Sequence, residues 1–300
     1  MVTETDIRTG LEELGLRSGD TVVVHSSLSS FGQVEGGAQI VVDALLDVLG
    51  DEGTLVFPTF NYQPDVFDPD DTPSVTGAIS ETVRKRPDAV RSLHPTHSVA
   101  AIGRLAQVIT EGHERTEPFG RGSALFKVLQ AGGKILHLGT THTTNSMIHV
   151  GEELANVPYL ERTRLVGIRT AQGKVVRKWI RRPGCSRGFD AIEETLQEKE
   201  AIDETTIGNC HARLMSARSV IDAVLELLEF DQEALLCDEP DCEVCAESRA
   251  MAAATESERQ EREITELAEE EEQLRRSLEK RFEGSPVTYF EPEQNHSSPN

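Results

Sequence analysis

Residues 3–14 alternate apolar and polar positions at helical spacing, and Gly15 suits the stop of an amphipathic helix. After Gly19-Asp20 the chain turns to an unbroken β-branched run, Thr21-Val22-Val23-Val24-His25. A short run of that kind predicts a strand buried on both faces. Residues 26–32 form a loop rich in small hydroxyl side chains. Gly36-Gly37 then opens a helical pattern that runs through Leu49, Gly50 and Gly53 close it, and Thr54-Leu55-Val56-Phe57 is the next strand. Strand, loop, helix, strand is the βαβ rhythm of an α/β fold. It recurs where residues 125–129 read as helix, Gly132-Gly133 breaks the pattern, and Lys134-Ile135-Leu136-His137-Leu138 reads as strand. Residues 61–74 have little periodicity and read as a long loop, a feature that in compact domains is usually functional or mobile. Residues 186–204 read as a charged helix and 217–228 as an amphipathic one.

The pattern changes after Phe230. Residues 231–249 are acidic and carry three cysteines, residues 250–284 read as a charged helix centred on Glu269-Glu270-Glu271-Glu272, and 285–300 read as a disordered tail. Ile264, Leu267, Leu274 and Leu278 fit heptad positions that Glu271 interrupts. Two readings stay open: a solvated helix on the domain edge, or a dimerising helix that makes the protein a homodimer. Residues 1–230 are expected to hold the chemistry.

Charge narrows the partners. With 52 acidic against 30 basic residues in 300, the net charge is -22. A polyanion such as nucleic acid would be repelled. Adaptation to high salt and attraction of a cationic substrate both fit the excess. No apolar run is long enough to span a bilayer, and the N-terminus lacks the basic and apolar regions of a signal peptide. The expectation is a cytoplasmic protein without a membrane partner, whose five cysteines are reduced thiols or metal ligands. Cys237, Cys242 and Cys245 give C-x4-C-x2-C, with Cys185 or Cys210-His211 able to supply a fourth ligand. Structural zinc and free thiols are both consistent with that spacing.

Three clusters carry candidate chemistry. The first is His25-Ser26-Ser27-Leu28-Ser29-Ser30-Phe31-Gly32, just past a strand, where open α/β sheets bind ligands. Its hydroxyl and N–H groups suit a phosphate or an amide, and an ordinary polar turn is the alternative. The second is Arg91-Ser92-Leu93-His94-Pro95-Thr96-His97-Ser98, with two histidines around a proline. Histidine titrates near neutral pH and can take a proton from an ammonium or a hydroxyl. The third runs from Leu138-Gly139 through a Thr-rich loop to His149 and Glu152, which share one face of a helix. A carboxylate there could orient His149, or His97 from across the fold.

Together these segments resemble the aminoglycoside 3-N-acetyltransferase family. The matching pieces, in order, are His25-Ser26-Ser27-Leu28 with Gly32, Gly53-Thr54-Leu55-Val56 with Pro58-Thr59-Phe60, and Arg91-Ser92 with the His94 to Ala101 segment. Phe119-Gly120 with Ser123, Leu138-Gly139, and Thr144-Asn145 with His149 and Glu152 complete the set, over roughly residues 8–230. One departure is Ala124, where the family usually has proline.

The resemblance implies a layered α/β/α sheet, to which the charge pattern after Phe230 adds an acidic C-terminal helical extension. It implies an enzyme that moves an acetyl group from acetyl-CoA to an amine, the 3-amino group of an aminoglycoside, and so confers antibiotic resistance. It places the base at His97, supported by Glu152. It assigns acetyl-CoA to Ser26, Ser27, Leu28, Ser29, Ser30, Gly32, Ser98 and Ser123; the expected contacts of the amine substrate are Phe60, Asn61 and, from the acid charge of the long loop, Asp68. An acetyltransferase for a non-antibiotic amine, a non-catalytic binding or regulatory protein of the same fold, and a hydrolase built on Ser27 and His97 are the competing readings.

Overall fold

The computed structural model describes residues 1–62, 66–170 and 172–254. The first helix is α1 (Glu4–Glu13), opened by a capping box in which Thr3 and Asp6 satisfy each other's backbone N–H. It is followed by β1 (Thr21–Ser26), α2 (Ala38–Leu49), β2 (Thr54–Pro58), β3 (Val66–Phe67), α3 (Ala78–Arg84), β4 (Val90–Arg91), β5 (Val99–Gly103), α4 (Ala106–Thr110) and α5 (Ala124–Gln130). The second half runs β6 (Lys134–Leu138), α6 (Met147–Ala155), β7 (Thr163–Arg169), β8 (Val175–Arg181), α7 (Glu193–Glu198), β9 (Asp203–Ile207), β10 (Cys210–Ser216), α8 (Ala217–Phe230) and α9 (Glu243–Ala253).

Seven strands form one sheet in the order β4-β5-β2-β1-β6-β10-β9. Its centre is parallel, with β1 between β2 and β6; β5 and β10 run antiparallel to that centre, and the edge strands β4 and β9 pair antiparallel with them. Alternate side chains on each strand enter opposite cores. Val23, Val56, Ala101, Ile135 and Met215 face one, closed by α4, α5, α6 and α8. Val22, Val24, Leu55, Phe57, Ile102, Leu136 and Leu214 face the other, closed by α1, α2 and α3. The result is the expected three-layer α/β/α arrangement, and burial on both faces is why β1, β2 and β6 read as unbroken apolar runs.

Three departures from the sequence reading have physical causes. Residues 61–74 are not wholly irregular: β3 pairs with β7, and β7 pairs with β8, in a small second sheet. Residues 186–204 do not make one helix. Glu200 takes a left-handed conformation (φ 49°) that ends α7, and the chain then pairs as β9 along β10. The segment after Phe230 is no appendage, because Leu235, Leu236, Cys237, Cys242, Cys245 and Met251 belong to the same core as α6 and α8. The expected charged helix over 250–284 lies outside the described residues except for its start in α9, as does the tail. Among the described residues, no helix is long and apolar enough to cross a membrane.

Candidate active site

The parallel centre of the sheet fixes where a ligand can sit. The helix after β1 packs on one face and the helix before β6 on the other, so a crevice opens beyond the C-terminal ends of β1, β2 and β6. A cavity of about 530 Å3 occupies it, a size suited to a small-molecule ligand. Val24, His25 and Ser26 line it from β1, Pro58 from the end of β2 and Phe60 from just beyond it, and Thr140, Thr143, Thr144, Asn145 and Ser146 from the loop after β6. Thr96 and His97 enter from the loop before β5, His149 from α6, and residues 181–186 from the end of β8 and the segment after it.

His149 and Glu152 are one helical turn apart on α6, and Nδ1 of His149 lies 2.6 Å from Oε2 of Glu152. Glu152 is 1% exposed, so its carboxylate must find partners inside the protein. The hydroxyl of Tyr159 donates to its other oxygen at 3.1 Å. Phe119 stacks on the His149 ring (centroids 4.9 Å, 20°), and Phe189 meets it edge-on at 4.8 Å. The ring is therefore fixed in plane by a carboxylate and in tilt by two aromatics. With the Nδ1 proton facing Glu152, Nε2 is the nitrogen offered to a pocket ligand, in the tautomer a general base requires.

His97 also lines the cavity, but its surroundings are different. Its Nδ1 shares a hydrogen bond with the Thr96 hydroxyl at 2.8 Å, and its ring sits among Phe60, Phe119 and Tyr62. Burial, and then the neighbouring His149, hold its pKa well below the usual histidine range. The expected pairing of Glu152 with His97 is thus corrected: the carboxylate serves His149, which is on its own helix. His94 is structural, since its Nδ1 accepts the backbone N–H of His97 at 3.0 Å and so shapes the loop behind Pro95.

Of the residues expected to hold acetyl-CoA, only Ser26 lines the cavity. Leu28–Phe31 is a short 3-10 helix, and none of its residues lines the cavity. The N–H groups of Ser27, Ser30 and Gly32 are spent on the carbonyls of Leu138, Ser27 and Ser29, and Ser27 Oγ pairs with Ser29 Oγ at 3.1 Å. Ser27 is also absent from the cavity lining, whereas His97 is part of it. Ser98 is buried between Thr59 and Arg91, and Ser123 caps α5 by accepting from Phe126 N–H at 3.3 Å. Among the residues expected to bind the amine, Phe60 lines the cavity, Asn61 donates to the Pro73 carbonyl, and Asp68 pairs with Arg169 at 2.8 Å.

Four of the five cysteines meet at one point. The Sγ atoms of Cys185, Cys237, Cys242 and Cys245 all lie within 4.8 Å of one another, and every cysteine is free. The fourth thiol beside the C-x4-C-x2-C motif is Cys185. Cys210 lies in the opposite core.

A family model described as aminoglycoside 3-N-acetyltransferase matches residues 23–229. The chain belongs to that family. An aminoglycoside N(3)-acetyltransferase IV from Salmonella sp is 32% identical over 225 residues, covering 74% of this chain and 85% of that one. An aminoglycoside N(3)-acetyltransferase VII from Streptomyces paromomycinus is 34% identical over 179 residues, 52% of this chain, and the match spans 62% of that relative's length. Among solved structures, a histidine-to-alanine variant of the aminoglycoside acetyltransferase AAC(3)-IVa in complex with a gentamicin superposes with a TM-score of 0.77. It is 30% identical and covers 83% of this chain and 97% of its own. AAC-IIIb in a binary complex with CoASH has a TM-score of 0.68 at 26% identity, covering 76% of this chain and 96% of that one.

In this member of the aminoglycoside 3-N-acetyltransferase family, one wall of the cavity escaped the sequence reading. Arg164, Arg181, Arg182, Pro183, Gly184, Cys185 and Ser186 line it. Their signal was a basic run, Arg177-Lys178 and Arg181-Arg182, in a strongly acidic chain. Among the described lining residues there is no carboxylate, so the acidity of the surface is not concentrated in the pocket.

Proposed function

We propose that the protein transfers the acetyl group of acetyl-CoA to an amine of an aminoglycoside, with His149 as general base and Glu152 as the group that orients it. The observation that carries this reading is the buried 2.6 Å contact between His149 Nδ1 and Glu152 on the cavity wall. The relatives' names supply the reaction class and the acceptor class. An ammonium must first lose a proton to solvent. As the neutral nitrogen bonds to the thioester carbonyl carbon, His149 Nε2 takes its second proton, and the imidazolium forms beside Glu152. The C–S bond then breaks, and the departing CoA sulfur receives that proton. No covalent acyl-enzyme is needed. His97, neutral and flanked by aromatics, shapes the pocket.

The cationic wall formed by Arg164, Arg181 and Arg182 suits the phosphates of CoA, which leaves the Thr-rich side of the cavity for the acceptor. The four gathered thiols are a site for one structural zinc ion. The test is a thiol-release assay with acetyl-CoA and a panel of amines, aminoglycosides included. Thiol release that depends on an aminoglycoside supports the reading. Release without any amine would point to hydrolysis, and no release with any amine would leave a binding protein.

A further inference from the structure

Cys185 belongs to two sites at once. It lines the cavity together with Arg181, Arg182, Pro183, Gly184 and Ser186, and its thiol is one of the four gathered sulfurs. Four thiolates around zinc at about 2.3 Å stand roughly 3.8 Å from one another. Cys185 and Cys237 are 3.9 Å apart, and Cys237 and Cys245 are 3.5 Å apart. A disulfide needs about 2.05 Å, so the spacing is that of metal ligands.

The backbone is shaped for the same cluster. The N–H of Arg187 donates to Cys185 Sγ at 3.4 Å. Gly188 lies flat against the partner segment, where a Cβ would stand 2.5 Å from the Leu235 carbonyl and 2.9 Å from the Cys237 nitrogen. Cys242 is the residue just before α9 and Cys245 is in its first turn. By contrast, residues 182–186 belong to no helix or strand. The bond from Arg182 N–H to the Arg162 carbonyl, at 2.7 Å, is the last tie to the hairpin before that stretch.

Resting on the zinc reading and on the pocket assignment, we propose that the metal is a clasp: by tying Cys185 to Cys237, Cys242 and Cys245 it holds residues 181–186 in place as a wall of the acetyl-transfer pocket. Cys185 is a positioning residue and takes no part in the proton transfer at His149. Zinc occupancy then governs ligand binding and leaves the chemical step nearly unchanged.

The test compares the full-length protein with Cys245→Ser and Cys245→His, because Cys245 is buried and does not line the cavity. Zinc per chain, Trp179 fluorescence during titration with CoA, and the separate kcat and KM values are read for each. Trp179 is the single tryptophan and sits on β8 just before the wall. The wild type is expected to hold one zinc. Cys245→Ser is expected to lose it, with the KM for acetyl-CoA rising on the order of tenfold and kcat staying within about twofold. Cys245→His, which still offers a ligand, is expected to keep both zinc and KM.

A zinc-loaded wild type whose CoA titration and KM match those of zinc-free Cys245→Ser would overturn the clasp while leaving the zinc site standing. A wild type without zinc would overturn both. Should Cys245→Ser fail to fold, chelator-treated wild type gives the same comparison. Loss of its circular dichroism as well would assign the metal to the whole fold and end the clasp proposal.

Discussion

At the scale of the residue, two histidines face one cavity and their environments separate them. His149 has a buried carboxylate on Nδ1. His97 has a hydroxyl, and burial presses it toward the neutral form. His149→Ala is expected to lower kcat by roughly 10²- to 10⁴-fold, the range for a lost general base. Glu152→Gln leaves the space filled but removes the charge that supports the imidazolium, and its loss of kcat should fall in the same direction. His97→Gln should change kcat by no more than about tenfold, acting through pocket shape. Steady-state kinetics on the three variants would check the ranking, and a larger loss for His97→Gln than for His149→Ala would reverse the assignment.

At the scale of the element, glycine positions show how the strands deliver these residues. Gly139 ends β6 at φ 69°, and a Cβ there would lie 1.9 Å from Ser30 Oγ and 2.1 Å from its Cβ. Gly139→Ala should therefore cost on the order of 2 kcal/mol or more through strain and overpacking, seen as a lower denaturation midpoint. The same strands explain what was legible in the sequence. β1, β2 and β6 are buried on both faces, so their apolar runs stand out; the C-terminal end of β1 carries His25 and Ser26 into the cavity, and the loop after β6 carries the Thr-rich stretch. β7 and β8 are half-exposed and mix charged with apolar positions, so the hairpin and its arginine wall left only a weak trace. The helix spacing of His149 and Glu152 was visible, but the choice between His149 and His97 depends on which ring the carboxylate reaches. That is a tertiary fact.

At the scale of the molecule, the fold buries histidines throughout. Burial is the largest cause lowering His25 to about 3 and His113 and His142 to about 4, and it lowers His94, His97 and His137 as well. An unfolded chain protonates each near 6.5. Below that value the unfolded state binds more protons than the folded one, so their contribution is complete above pH 6.5 and is lost as pH falls toward 4. Each costs on the order of 1.4 kcal/mol per pH unit in that window. Thermal melts should show a Tm that drops steeply below pH 6.5, and a Tm unchanged between pH 5 and 7.5 would contradict the burial argument. The excess of acidic residues is arranged elsewhere than on the described cavity lining, which fits a surface role better than a substrate-attracting one.

In the proposed reaction His149, oriented by Glu152, deprotonates an aminoglycoside amine as it attacks acetyl-CoA. Its most direct test is the rate of CoA thiol release with a gentamicin-type acceptor, measured side by side for the wild type and for folded His149→Ala. The wild type is expected to release thiol only with the aminoglycoside present, and the variant to lose at least about 100-fold in kcat. Equal rates for the two proteins would contradict it.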